Sequence, residues 1–317
     1  MANSYCTPTK NMKEVLNIPP SPFLKRLGYG TGVTVYKFDR SPRANVVRSP
    51  WAVKVINRKG KNTLYGKRLR DEADLLSKMS HPNIVGFRAI AKTSLGNECL
   101  AMETCTISLA DLIEKRADDI QIAFSAATIM KVGHHISKAL DYLHVRMQLL
   151  HGDVKSHNVL IIGDFEMCKL CDFGVSLPLT KDGALDTDKA GDEAEYVGTM
   201  CWCAPEVLRD PPCITSKADI FAYGLVLWEM FALNIPHAVD INDECLDEEC
   251  SFDSSFKENS NLFGTRPAIP YHMFGDQTGK YNYPLEIFYC CTEEDPKKRP
   301  TGQHIAMSLY EMISNSK

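Results

Sequence analysis

The sequence has no apolar run long and charge-free enough to cross a bilayer. Its best candidate, "IFAYGLVLWEMFAL", is interrupted by Glu229, whereas a spanning helix needs about 20 predominantly apolar residues. The first residues are polar, with Pro8 and Lys10 among them, which argues against a secretory leader. No N-x-Ser/Thr acceptor occurs, and there is no basic stripe with interleaved aromatics. Neither a membrane nor a nucleic acid is therefore expected as a partner. The 12 cysteines are irregularly spaced along 317 residues, so they read as thiols of a cytoplasmic and/or nuclear protein rather than a disulfide framework. Cys168 and Cys171 form a C-x-x-C in "EMCKLCDFG". In a strand those two positions face opposite sides, so structural cysteines are expected there, not a metal pair.

What is present is enough chain for a large core, as one big domain or as two lobes sharing a cleft. The formal charge of −4 hides an asymmetry: residues 240–260, "DINDECLDEECSFDSSFKENS", carry eight acids against one lysine. That block reads as a solvated loop, or as a docking surface for basic partners. Residues 1–22 contain "CTPTK" and "IPPSP" and little periodicity, which predicts a flexible tail.

From Phe23 the pattern is strand-like. "FLKRLGYG", "VTVYKFDR" and "SPWAVKVIN" predict three antiparallel strands, and "IVGFRAIA" and "ECLAMET" predict two more. Between them "KRLRDEADLLSKM" places Leu69, Ala73, Leu76 and Met79 at helical spacing, with Pro82 just beyond. After residue 107 the patterns are mostly helical: "SLADLIEKR", "AATIMKVGHHISKALDYLHV" ending at His144, "KADIFAYGLVLWEMFAL" and "YPLEIFYCCT". Short strands are expected around 149–172. The expectation is an α+β, bilobal fold: a small five-stranded antiparallel lobe with one helix over 23–103, a hinge at 104–107, and a larger, mainly helical lobe over 108–317 that carries the acidic insert. The cleft would lie near residues 103–107.

Several groups suited to phosphate chemistry follow in order. "GYGTGVTV" is a glycine-rich hairpin in which Gly28, Gly30 and Gly32 let backbone amides approach phosphates. Alone it is equally a plain turn. Lys54 of "WAVK" can present its ammonium from the third strand, and Glu72 in the following helix can hold it. In "HGDVKSHN", Asp153 would orient an acceptor hydroxyl and take its proton. Lys155 would neutralise a transferring phosphoryl group, and Asn158 would hold a metal with Asp172 of "CDFG". Phosphoryl transfer mainly requires positioning and charge neutralisation, which carboxylates, an amide and lysines supply.

These motifs, with "GTMCWCAPE" at 198–206, "KADIFAYGLVLWEM" at 217–230 and "DPKKRP" at 295–300, resemble the eukaryotic protein-kinase family over about Phe23–Ser314. The resemblance implies ATP and Mg²⁺ as cofactors. It implies Val35, Ala52 and Leu160 around adenine, Met102 as gatekeeper, and Glu103 to Cys105 contacting the base. It also implies an ion pair of Glu206 with Arg299, Asp219 as a brace beneath the catalytic loop, and His151, Phe173 and Leu76 in a hydrophobic spine. A narrower resemblance is to MAP-kinase-kinase-like mitotic kinases that share the glycine before the catalytic aspartate and an acidic insert after the D-I-F helix. Lys155 and Thr199 fit serine/threonine specificity. Trp202 is closer to tyrosine kinases and keeps dual specificity open.

A pseudokinase scaffold is the rival reading, disfavoured because Lys54, Asp153 and Asp172 are all retained. Protein substrates are the expected partners. A proline-directed kinase acting on Thr7 and a second copy of the chain are further candidates. The ending "ISNSK" lacks the Thr-x-Val type of terminus that a PDZ domain captures. Gly152 replaces the usual arginine that clamps an activation-loop phosphate, and six acids lie between Asp182 and Glu195. Phosphorylation of Thr180 or Thr187 is therefore not expected to be the main switch.

Overall fold

The computed structural model describes residues 25–30, 33–39, 49–56, 63–92, 98–191, 194–237 and 260–315. The sequence expectations for the tail, Gly32 and the acidic block at 240–259 lie outside them. The chain divides into two compact units, one running to Met79 and including Gly86–Thr104, the other comprising Ser80–Val85 and everything from Cys105 onward.

In the first unit β1 (Lys25–Gly30), β2 (Val33–Phe38) and β3 (Trp51–Ile56) are followed by α1 (Thr63–Lys78), β4 (Phe87–Lys92) and β5 (Glu98–Glu103). The strands form one antiparallel sheet in the order β1-β2-β3-β5-β4. Strand periodicity sorts the side chains of β3. Val53 joins Cys99, Ala101 and Ala91 in a buried cluster flanked by Trp51, Val55 and Phe38, while Ala52 and Lys54 point to the other face. In α1, Leu69, Ala73 and Leu76 are buried as their spacing predicts. Glu72 falls in the same stripe, which puts a carboxylate on the apolar side of the helix. The helix ends at Lys78, so Met79 lies just outside it.

The second unit opens with the segment 80–85, which the sequence reading assigned to the small lobe. Its contacts explain the difference: Asn83 Nδ2 donates to the Cys168 carbonyl at 2.9 Å, and the His81 ring stacks on Tyr142. The chain then forms β6 (Ile107–Ser108), α2 (Leu109–Asp119), α3 (Ala126–Asp141), β7 (Leu149–Leu150), β8 (Val159–Ile162), β9 (Met167–Leu170) and β10 (Leu177–Pro178). It continues through α4 (Thr187–Ala190), α5 (Lys217–Ala232), α6 (Asn282–Cys291) and α7 (Gly302–Asn315).

Residue 107, read as the end of a hinge, is the first residue of β6, which pairs with β8. Ser108 then caps α2 in a reciprocal box with Asp111. The helix expected to stop at His144 continues instead: α3 passes at Asp141 into a wider π turn, Tyr142–Met147, closed by Gln148 in the left-handed conformation. The wider turn carries His144 to the Asp219 carboxylate, 2.8 Å away. Helix α5 is the hub of this unit, buried at every position from Ala218 to Phe231. Its apolar residues run all round the helix rather than along one stripe, so it sits inside, and its two acids, Asp219 and Glu229, are buried with it.

Candidate active site

Lys54 and Glu72 meet within the first unit at 2.9 Å, both buried. Stripping water from such a pair costs several kcal/mol per ion, and the short contact with its cation offsets much of that for Glu72. The result is an ammonium fixed in position on β3. Ala52 and Met102 are register partners on β3 and β5, and both are buried. Gly28 and Gly30 pair with Val35 and Val33 across the β1–β2 hairpin, whose register is irregular between Arg26 and Gly28. Glu103 donates its N–H to the Gly86 carbonyl at 2.8 Å and accepts from the Gly86 N–H through its side chain.

In the second unit the loop after β7 is held from below by Asp219. Its carboxylate accepts from the N–H of His151 at 2.8 Å and of Gly152 at 3.0 Å. Full burial alone pushes Asp219 upward, but hydrogen bonds from His144 and Gly152 and the nearby imidazoles outweigh it, so its pKa is lowered. The His151 ring lies 5.0 Å from that of Phe173. His151 Nε2 is 3.0 Å from the Cys171 carbonyl.

The loop brings Asp153, Lys155, Asn158 and Thr199 together. Lys155 Nζ is 2.9 Å from Asp153 Oδ2 and donates to Thr199 Oγ1 at 2.7 Å. Thr199 in turn donates from Oγ1 to Asp153 Oδ1 at 2.6 Å. Asn158 Nδ2 donates to the Asp153 carbonyl at 2.7 Å and to Oδ2 at 3.0 Å, an orientation that turns its amide oxygen away from Asp153. Asp172 is tied to this group because the N–H of Cys171 donates to the Asn158 carbonyl at 3.0 Å. Cys171 thus lies beyond the end of β9 and is not a strand neighbour of Cys168, which is fully buried. Leu160 sits on β8, half-buried, opposite Ser108 and Lys169.

Gly152 has φ of 79°, and a Cβ there would stand 2.9 Å from the Val175 carbonyl oxygen. A Cβ on Gly198 would stand 2.5 Å from the Gly152 carbonyl oxygen. Both ends of the segment after D-F-G therefore pack directly on the loop at Gly152. Further along, Arg299 makes a bidentate ion pair with Glu206 at 2.6 and 2.8 Å, both groups buried. One contributor went unread in the sequence: Glu229, which bonds to Ser156 and Trp202. Its only local signal was a lone acid in an apolar helix.

A model of the protein kinase domain matches residues 22–310. The chain belongs to the protein kinase family, and family membership implies ATP as phosphoryl donor and protein acceptors. It is 46% identical to the human lymphokine-activated killer T-cell-originated protein kinase over 301 residues, covering 93% of this chain and 91% of that protein. It is 27% identical over 265 residues to the Arabidopsis thaliana serine/threonine-protein kinase STY17, covering 83% of this chain and 40% of that protein. The Dictyostelium discoideum dual specificity protein kinase shkD is 28% identical over 288 residues, covering 90% of this chain and 34% of that one.

Proposed function

We propose that the chain is an active serine/threonine protein kinase that transfers the γ-phosphate of ATP to protein hydroxyls. The observation that carries this reading is the Asp153 carboxylate, bonded at once by Lys155, Thr199 and Asn158 on a loop anchored to Asp219. The donor set also fits Mg²⁺, a hard cation that prefers oxygen ligands: a carboxylate at Asp172 and an amide oxygen at Asn158 whose NH₂ is already occupied. When bound, Mg²⁺–ATP supplies the phosphoryl group and charge neutralisation. In the first unit Lys54, steadied by Glu72, is the cation for nucleotide phosphates. The nucleotide contacts implied by the family resemblance are Gly28, Gly30, Gly32, Val35, Ala52, Met102 and Glu103 in the first unit and, in the second, Cys105 and Leu160. In the second unit Asp153 orients the acceptor hydroxyl and takes its proton, while Lys155 spreads positive charge over the reacting oxygens.

Serine/threonine rather than tyrosine acceptors are supported by the Lys155–Thr199 bond. Trp202, the residue closer to tyrosine kinases, is buried and bonded to Glu229, so it presents no indole to an acceptor ring. Dual specificity is the second reading, favoured by the names of some relatives. A MAP-kinase-kinase-like role in dividing cells, in cytoplasm or nucleus, rests on the narrower resemblance, as does control through Thr7 by a proline-directed kinase. Phosphopeptide mapping of dividing cells that never finds Thr7 modified would retire that last part. The acceptor assignment is tested by phosphoamino-acid analysis of a basic protein labelled from radioactive ATP. Phosphoserine and phosphothreonine are expected. Phosphotyrosine in comparable amount would establish dual specificity instead.

A further inference from the structure

We propose that Thr180 is an inhibitory phosphorylation site: its unmodified hydroxyl closes a hairpin that ties the segment after D-F-G to the catalytic loop, and a phosphate there opens the tie. The inference rests on the kinase reading and gives the site a control that runs opposite to activation by loop phosphorylation.

The first arm of the hairpin is β10, which pairs with β7 through Leu177–Leu150 and Pro178–Leu149. The Leu179 N–H extends that pairing to the Gln148 carbonyl at 2.7 Å. Strand β7 runs straight into His151, whose carbonyl accepts from the Ser176 hydroxyl at 3.0 Å. The chain turns at 181–183 and comes back: Leu185 bridges to Leu179, and the Thr180 N–H donates to the Ala184 carbonyl at 2.8 Å. The Asp186 N–H donates to the Pro178 carbonyl at 3.0 Å. The returning arm has a second neighbour. Ala184 bridges to Thr215, the Leu185 N–H donates to the Ile214 carbonyl at 3.0 Å, and the Ser216 N–H donates to the Gly183 carbonyl at 2.7 Å. Ser216 directly precedes α5, the helix that carries Asp219. The hairpin therefore joins the strand that enters the catalytic loop to the start of the helix that braces that loop from below.

Thr180 sits where the hairpin closes. Its hydroxyl donates to Asp182 Oδ1 at 2.6 Å and lies 3.1 Å from the Ala184 carbonyl oxygen, and its oxygen accepts from the Ala184 N–H at 3.2 Å. The single hydroxyl hydrogen and one of the two lone pairs are thus spent inside the turn. The bond from Thr180 is also the main reason that the Asp182 carboxyl is held below its ordinary value. Gly183 completes the turn with φ of 84°, and a Cβ there would stand 2.8 Å from Ser216 Oγ.

Phosphorylation by a serine/threonine kinase joins Oγ1 to the γ-phosphorus of ATP as the bond to ADP breaks, and the hydroxyl proton passes to that kinase's base. The ester has no hydrogen left for Asp182 or the Ala184 carbonyl. It also sets roughly two negative charges beside the Asp182 carboxylate. Lys189 is paired with Asp186, and Lys217 Nζ is held by the carbonyls of Arg299 and Pro300. Lys181 is the cation next in the chain, and capture of the phosphate by Lys181 would preserve or raise activity, the opposite of the result expected here.

The test uses the full chain as wild type, as a form with phosphothreonine installed at 180 by codon reassignment, and as Thr180→Val and Thr180→Ser. Phosphotransfer to a basic protein is followed together with Mg²⁺–ATP binding and amide hydrogen exchange. The phosphothreonine form is expected to lose about fivefold in kcat and Thr180→Val about threefold, while Thr180→Ser stays within about twofold of wild type. Mg²⁺–ATP binding should be unchanged and the Tm should stay within about 2 °C. Exchange should quicken at the amides of Thr180, Ala184, Leu185 and Ser216 in the phosphothreonine and valine forms but not in the serine form. Equal or higher activity on phosphorylation, or unchanged exchange at those amides, overturns the proposal. Asp153→Asn is run beside them: wild-type activity in that variant would remove the kinase assignment of Asp153 instead, whereas the exchange readout does not depend on activity.

Discussion

The hydroxyl of Thr199 donates a 2.6 Å hydrogen bond to the carboxylate of Asp153, 46 residues earlier in the chain. That bond couples the segment leading to Glu206 with the loop that the kinase reading makes catalytic. Lys155 touches both partners, so the three groups form one closed hydrogen-bonded triangle.

Thr199→Val keeps the shape and removes the hydroxyl. It is expected to lower kcat by about 10- to 100-fold, because it withdraws one of the groups that orient the general base. Thr199→Ser should stay within roughly threefold of wild type, since the donor is retained. Steady-state phosphotransfer checks both, and equal activity of valine and wild type would show that the bond has no catalytic consequence.

Lys54→Met should act on stability as well as rate. It removes the cation 2.9 Å from a carboxylate that is 1% exposed, and breaking a buried pair from one side costs about 3–5 kcal/mol. The Tm should drop, and restoring charge balance with Lys54→Met/Glu72→Gln should recover part of it while leaving phosphotransfer low. Thermal melts of the single and double variants decide this. Additive losses would mean that the two side chains are not energetically coupled.

Lys54, Asp153, Asn158 and Asp172 were legible in the sequence because each sits at a short, chemically constrained spacing from its neighbours. The five-stranded sheet was legible through periodicity, and α5 through the length of its apolar run. Glu229 was not: its partners Ser156 and Trp202 lie 73 and 27 residues away, and a local pattern shows only a charge interrupting an apolar helix. The same reason hid the allegiance of 80–85, which is set by Asn83 reaching Cys168. The π turn at Tyr142–Met147 was also invisible, since Leu140 and Leu143 satisfy ordinary helical spacing whether or not the helix widens there.

Gly152 should resist replacement even by the residue usual in the family. Its left-handed φ costs other residues about 1–2 kcal/mol, and the Cβ would crowd the Val175 carbonyl. Gly152→Ala and Gly152→Arg are therefore expected to lower the Tm by on the order of 2–5 °C. The same packing holds the segment after D-F-G without an arginine–phosphate clamp. Dephosphorylated protein and the Thr180→Ala/Thr187→Ala variant should accordingly keep activity within about tenfold of the phosphorylated wild type. A hundredfold loss (about 2.7 kcal/mol) in both, restored in the wild type by phosphorylation, would contradict this.

Asp219→Asn turns an amide towards the N–H donors of His151 and Gly152. Each buried group left unsatisfied costs about 1–3 kcal/mol, so the variant should melt lower than wild type at neutral pH. Because the folded pKa of Asp219 is lowered, its contribution is present above the unfolded carboxylate value and is lost as pH falls through the folded one. The gap between the two proteins should therefore narrow on acidification. A gap that widens towards acid would reverse the assigned electrostatics.

The central claim is that Asp153 serves a live phosphotransfer reaction. The most direct measurement is transfer of label from radioactive ATP to a basic protein by purified wild type beside Asp153→Asn, with Mg²⁺–ATP binding followed by thermal shift. The account predicts robust transfer by wild type, a loss of about a thousandfold or more in the variant, and metal-dependent nucleotide stabilisation in both. Full activity in Asp153→Asn, or no transfer above background by wild type that binds Mg²⁺–ATP, would contradict it.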